Sequence, residues 1–202
     1  MLIRSPLNPI FIPKDIPDLG SHLRDVSSVF NPGAIKVGKN YHLMLRVQNR
    51  ARETFLIMAD SQDGIDFNVS KEEVHFTGID KISDKIYHIY DPRITQIEET
   101  FYIMVAMDME QGCRLGLAKS EDLKQFQFMG IVSGNDNRNG VLFPDMINGK
   151  YVRLDRPNIN NKSGVSSGSS IHFSWSLNIM DWSHSRPVIS GRFHYWDELI
   201  GA

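Results

Sequence analysis

Asp91 is the acidic residue whose setting could do chemistry. It stands in Tyr90-Asp91-Pro92-Arg93, where the proline fixes its own φ and pushes the residue before it toward extended backbone. A carboxylate held in one direction can serve as a proton donor. Aspartate before proline is also a common turn former, and on these four residues both readings stand. Two arginines offer a second chemistry. Arg138 lies in Asn137-Arg138-Asn139-Gly140-Val141-Leu142-Phe143-Pro144, and Arg156 precedes Pro157. They flank a strand pair, and a guanidinium grips phosphate or carboxylate through two parallel hydrogen bonds. Both also read as ordinary solvated cations. Asn31, ahead of Pro32, is the matching polar residue of an earlier segment.

The elements that must position these residues are short strands. Ala34-Ile35-Lys36-Val37, Tyr41-His42-Leu43-Met44-Leu45-Arg46 and Thr54-Phe55-Leu56-Ile57-Met58-Ala59 are apolar, β-branched or aromatic runs, with Gly38-Lys39-Asn40 as a hairpin turn. The pattern returns at Ile94-Thr95-Gln96-Ile97 and Phe101-Tyr102-Ile103-Met104-Val105-Ala106. It returns again at Met146-Ile147 and Tyr151-Val152-Arg153-Leu154, around Asn148-Gly149-Lys150. No segment carries a sustained helical period, so the chain reads as all-β.

A repeat organises the strands. Ser61-Gln62-Asp63-Gly64-Ile65-Asp66-Phe67, Ser120-Glu121-Asp122-Leu123-Lys124-Gln125-Phe126 and Ser176-Leu177-Asn178-Ile179-Met180-Asp181-Trp182 share Ser-x-[Asp/Asn]-x-x-x-aromatic. Short polar side chains cap such a turn, and the aromatic returns to the core. A proline precedes each copy, in Asn31-Pro32, Asp91-Pro92 and Phe143-Pro144. Repeats of this length built from short strands read as propeller blades, the alternative being an ordinary β-sandwich with chance similarity. The reading is an N-terminal arm over 1–28, then repeats near 29–85, 86–135 and 136–190, with a further blade starting at 191–202. Propellers close with about four to eight blades, so three to four make an incomplete ring that reads as cut short. Its open edges predict a homo-oligomer, and the chain by itself is expected to be a poor catalyst.

The 202 residues are 41% hydrophobic and 23% charged, with a net charge of −2. That is the composition of a globular domain, without the basic excess that nucleic acid or an anionic membrane demands. The single Cys113 excludes an internal disulfide and a cysteine zinc site, and reads as a buried or half-buried thiol in a reducing compartment. With no leader-like start and no long apolar run, the expected location is the cytoplasm. His172 and His184 lack a metal-ligand spacing. Met104, Met107 and Met109 read as core, Arg50 and Arg52 as surface, and the serines and glycines of 164–170 as a loop rather than a phosphate cradle.

Taken together, Tyr90-Asp91-Pro92-Arg93, Asn137 to Pro144, Asn148-Gly149-Lys150-Tyr151 and Arg156-Pro157 resemble glycoside hydrolase family 130, the β-mannoside phosphorylases and β-1,2-mannosidases. Asn31-Pro32, Arg46 and the Ser61 turn fit the same family's first blade, and Trp196 to Ala202 resembles one of its later segments. The resemblance implies a five-bladed propeller. It implies Asp91 as the sole acid, Asn31, Arg46 and Tyr90 as sugar-binding residues, and Arg138 and Arg156 as phosphate ligands. It further implies phosphorolysis of a β-mannoside oligosaccharide, with inorganic phosphate as co-substrate and no cofactor or metal. Asn31 stands where many five-bladed glycosidases carry aspartate, and an amide cannot be a general base. Leu199 replaces the family's usual lysine, and a histidine ligand of the family lies beyond residue 202. Hydrolysis by water and a non-catalytic sugar-binding or interaction chain therefore stay open as alternatives.

Overall fold

The computed structural model describes residues 3, 5–134, 136–161, 164–166, 168 and 170–201. The chain forms two compact units. One comprises Met1–Val74 with Tyr90–Pro92, and the other His75–Ile89 with Arg93–Ala202. Regular structure among the described residues is strand apart from two single-turn 3₁₀ segments, Pro13–Asp15 and Ile79–Lys81. The all-β expectation holds.

In the first unit, β1 (Ser28–Val37), β2 (Asn40–Gln48), β3 (Thr54–Ser61) and β4 (Asn68–Glu73) form an antiparallel sheet in chain order. Val37 pairs with Asn40, so the expected hairpin closes with two residues and Gly38 takes φ 58°. Leu45, Val47, Ile57 and Ala59 are buried on one face of this sheet, together with Ile16 and Leu23 from the preceding segment.

The second unit holds β5 (Phe76–Thr77), β6 (Ile86–Ile97), β7 (Thr100–Met109), β8 (Gly112–Ser120) and β9 (Phe126–Ile131). Their order is β5-β9-β8-β7-β6, and β5 joins β9 in parallel. Ile103, Met104, Val105, Ala106 and Met107 of β7 are all nearly inaccessible, which is why that segment reads as an unbroken apolar run. Met109 and Cys113 are buried as expected. The unit continues with β10 (Asn137–Leu142), β11 (Tyr151–Pro157), β12 (Ile159–Asn161), β13 (Gly164–Ser166), β14 (Ser170–Ser176) and β15 (His184–Ser190). Strands β10-β11-β14-β15 form a sheet, while β12 and β13 pair as a separate ribbon. Part of the expected Ser/Gly loop is thus ordered strand; Ser167 and Ser169 lie outside the described residues.

The repeated turn is real in atomic detail. Ser61, Ser120 and Ser176 each end the third strand of their sheet. Ser61 Oγ accepts from the Asp63 and Gly64 N–H groups, and Asp63 Oδ1 accepts from Ile65 and Asp66. Ser120 and Asp122 repeat this with Leu123, Lys124 and Gln125. Asn178 does so with an amide oxygen, accepting from Met180 N–H. The aromatics go inward: Phe67 meets Phe11, Phe126 meets Phe76, and Trp182 packs against the core containing Leu117 and Ile179.

Two expectations require correction. Met146-Ile147 is not a strand; Ile147 makes an isolated bridge to Lys150 around Asn148 and Gly149, both with positive φ. The strand that pairs with β11 is instead Asn137–Leu142. Nor are the three prolines equivalent. Pro32 and Pro92 lie inside β1 and β6, whereas Pro144 lies past the end of β10.

Candidate functional site

Three non-glycine residues inside the first strands of the three main sheets have left-handed backbone: Asn31 at φ 45°, Asp91 at 50° and Asn139 at 55°. In β1 the pairing register slips between Phe30 and Gly33, and in β10 between Arg138 and Val141. These are bulges, which re-aim a side chain out of the regular alternation. Asp91 is therefore not extended, as its proline had suggested. Short Asp and Asn side chains tolerate the left-handed well, and Pro32 and Gly140, the residues after Asn31 and Asn139, fall within the two register shifts. Proline gives no N–H to the ladder. Gly140 is required by packing, because a Cβ there would stand 2.8 Å from Met104 Cγ and 2.9 Å from Leu115 Cδ1.

In the first unit, Asn31, Arg46, Tyr90 and Asp91 come together. Asn31 Nδ2 donates to Asp91 Oδ1 at 2.9 Å, and an Arg46 terminal nitrogen donates to the same oxygen at 2.7 Å. The Arg46 and Asp91 side chains are only 16% and 15% exposed, so this ion pair is far less screened than a surface one. Both donors fall on Oδ1 rather than Oδ2. The Arg46 guanidinium carbon lies over two rings, 4.3 Å from the Phe30 centroid and 4.6 Å from that of Tyr90. Arg50 and Arg52 are exposed, and Arg50 pairs with Asp25.

In the second unit, Arg138 and Arg156 are direct cross-strand partners of β10 and β11. Arg138 stands 4.0 Å from Asp108 Oδ1 and 3.9 Å from Asp136 Oδ1, distances of loose ion pairs. Arg156 donates to the Ile200 carbonyl at 3.1 Å. Gly168 lets it lie close, since a Cβ at 168 would sit 2.9 Å from Arg156 Cδ. His172 bonds Ser185 and Ser170, and His184 stacks on Trp175. No cluster of three metal-ligating side chains occurs among the described residues, and none of their helices could cross a membrane.

Two residues of these sites escaped sequence reasoning. Phe30 was legible in principle, because Phe30-Asn31-Pro32 and Tyr90-Asp91-Pro92 are the same aromatic-Asx-Pro triplet. Asn139 was hidden because its triplet, Arg138-Asn139-Gly140, shares only the middle residue type.

The profile of the β-1,4-mannooligosaccharide phosphorylase family, glycoside hydrolase family 130, matches residues 4–202. The chain belongs to family 130. It is 30% identical over 203 residues to the β-1,4-mannooligosaccharide phosphorylase of Ruminococcus albus, covering 96% of this chain and 57% of that protein. It is 26% identical over 180 residues to the 1,2-β-oligomannan phosphorylase of a Thermoanaerobacter species, covering 85% and 57%. This family 130 chain thus spans about 57% of the length of these relatives. Its fold superposes on the β-1,2-mannobiose phosphorylase of Listeria innocua, determined with β-1,2-mannobiose. That match has a TM-score of 0.82 at 19% identity over 96% of this chain and 68% of the other. A family-43 glycoside hydrolase shares the fold at a TM-score of 0.62 and 11% identity, which extends the propeller-like likeness beyond family 130.

Proposed function

We propose that this family 130 protein carries the acid and part of the phosphate site of an inverting β-mannoside phosphorylase. The carrying observation is the Asp91 carboxylate, held on one oxygen by Asn31 and Arg46. Of the three left-handed positions, Asn31, Asp91 and Asn139, only Asp91 can donate a proton. Inverting hydrolysis needs a second carboxylate to activate water. Phosphorolysis does not, because phosphate brings its own nucleophilic oxygen.

In the proposed reaction a phosphate oxygen attacks C1 of the β-mannosyl unit as the C1–O bond to the acceptor breaks. Asp91 supplies the leaving oxygen's proton, through a sugar hydroxyl, and regains one from solvent. Inversion gives α-mannose 1-phosphate and the shortened acceptor. Arg138 and Arg156 are the proposed phosphate ligands; Asn31 and Arg46 border the mannosyl unit. No cofactor is called for. The repeats near 29–85, 86–135 and 136–190 are proposed as blades preceded by an arm over 1–28, with a further blade beginning at 191–202. Cytoplasmic location and self-association belong to the same reading.

The test is incubation with β-1,4- or β-1,2-mannobiose, with and without inorganic phosphate. Phosphate-dependent release of α-mannose 1-phosphate supports the proposal. Mannose released equally without phosphate shows a hydrolase, and release of neither product counts against catalysis by this chain.

A further inference from the structure

Tyr90 is 7% exposed, and one face of its ring is taken by Arg46. It offers little surface to a sugar. Phe30 lies directly opposite Arg46 in the β1–β2 register and takes the guanidinium's other aromatic contact. The Arg46 Nε–H is buried without a hydrogen-bond partner among the described residues. Ring faces therefore do the holding that hydrogen bonds do not, and they attract a cation most strongly where it is desolvated. A guanidinium in contact with two ring faces has little room to turn, and its terminal N–H is aimed at Asp91 Oδ1. Each ring also sits one residue before a left-handed residue of the site, Phe30 before Asn31 and Tyr90 before Asp91.

We propose that Phe30 and Tyr90 form an aromatic clamp on Arg46 and act through it as positioning residues for the Asp91 carboxylate. This rests on the reading of Asp91 as the phosphorylase acid and reassigns Tyr90 from substrate contact to alignment. An aliphatic side chain of similar bulk would fill the same space but could not hold the cation. That difference separates positioning from packing.

The experiment compares Phe30→Leu, Phe30→Tyr and wild type in phosphorolysis of β-mannobiose, with kcat and KM measured for both substrates. Misplacing a catalytic group by about 1 Å can cost about a hundredfold. The clamp predicts that Phe30→Leu lowers kcat by about tenfold or more, with each KM within about threefold, and that Phe30→Tyr recovers wild-type kcat to within about twofold. In an Arg46→Lys background, Phe30→Leu should add less than about twofold, because coupled residues are not additive. A fall that tracks only lost folded protein, equal in the Leu and Tyr variants, would overturn the clamp. A second readout needs no turnover: the Phe30→Leu crystal structure should show the Arg46–Asp91 contact broken or lengthened. An unmoved Arg46 there refutes the clamp even if wild type proves inactive on mannosides, a result that would end the phosphorylase reading instead.

Discussion

Replacing Asp155 with alanine should be the most damaging single change in the β10-β11-β14-β15 sheet. Arg153 and Asp155 are 3% and 2% exposed and joined at 2.7 Å between Nε and Oδ2. Arg153 also donates to the Val132 carbonyl at 2.7 Å, lies 4.3 Å from the Trp182 ring centroid, and Ser174 Oγ donates to the Asp155 carboxylate. Burial pulls the Arg153 guanidinium below its ordinary value, and Asp155 opposes that. Without Asp155 the cation stays buried with no counter-charge, at a cost of about 3–5 kcal/mol. Against a total stability of about 5–15 kcal/mol, that is about a fifth or more. With a urea slope of about 2 kcal/mol/M, the unfolding midpoint falls by about 2 M. Equilibrium urea unfolding followed by fluorescence measures it. Replacing all three polar members, in Arg153→Met with Asp155→Leu and Ser174→Ala, removes charge and partners together and should recover most of the loss. A deficit below about 1 kcal/mol for Asp155→Ala, or a triple variant no more stable than the single one, would refute the reasoning.

Asp91→Asn should fold normally, since Asn31 already occupies the matching left-handed position, yet lose about a hundredfold or more in kcat; a variant keeping a tenth of wild-type turnover would remove Asp91 from its proposed role. Gly140→Ala should cost about 1–3 kcal/mol through overpacking, because its new methyl meets Met104 and Leu115; an unchanged melting temperature would show that the bulge has room. Asp122 is held below its ordinary value first by the Gln125 N–H and then by that of Lys124. A lowered folded-state carboxyl stabilises above the ordinary carboxylate range, and that contribution is lost as pH falls through the lowered value. Asp122→Asn copies the uncharged Asn178 turn, so the melting-temperature gap between wild type and variant should narrow from pH 7 to pH 3, and a constant gap would sink the argument.

What the sequence determined by itself was everything carried by near neighbours. The Ser-x-[Asp/Asn] turns were legible because their hydrogen bonds span at most three residues, so residue type and spacing already contain the structure. Strand class followed likewise from apolar runs such as Phe101 to Ala106. The family motifs marked Asp91, Arg138 and Arg156 without showing how any of them is held. Tertiary structure alone decided the rest. Arg46 reaches Asp91 across 45 residues, and no local rule says which cation a given carboxylate will meet. The clamp needs Phe30 opposite Arg46, which only strand register provides. The left-handed backbone at Asp91 reversed the extended conformation expected before proline, because tertiary context overrides a local preference. In the third sheet the equivalent position carries Gly140 instead of proline, and the reason lies in Met104 and Leu115, 25 or more residues away in the sequence. A glycine chosen by the volume of distant side chains leaves no mark in its own neighbourhood, which is why the sequence offers Pro144, past the end of β10, as the repeat's third proline.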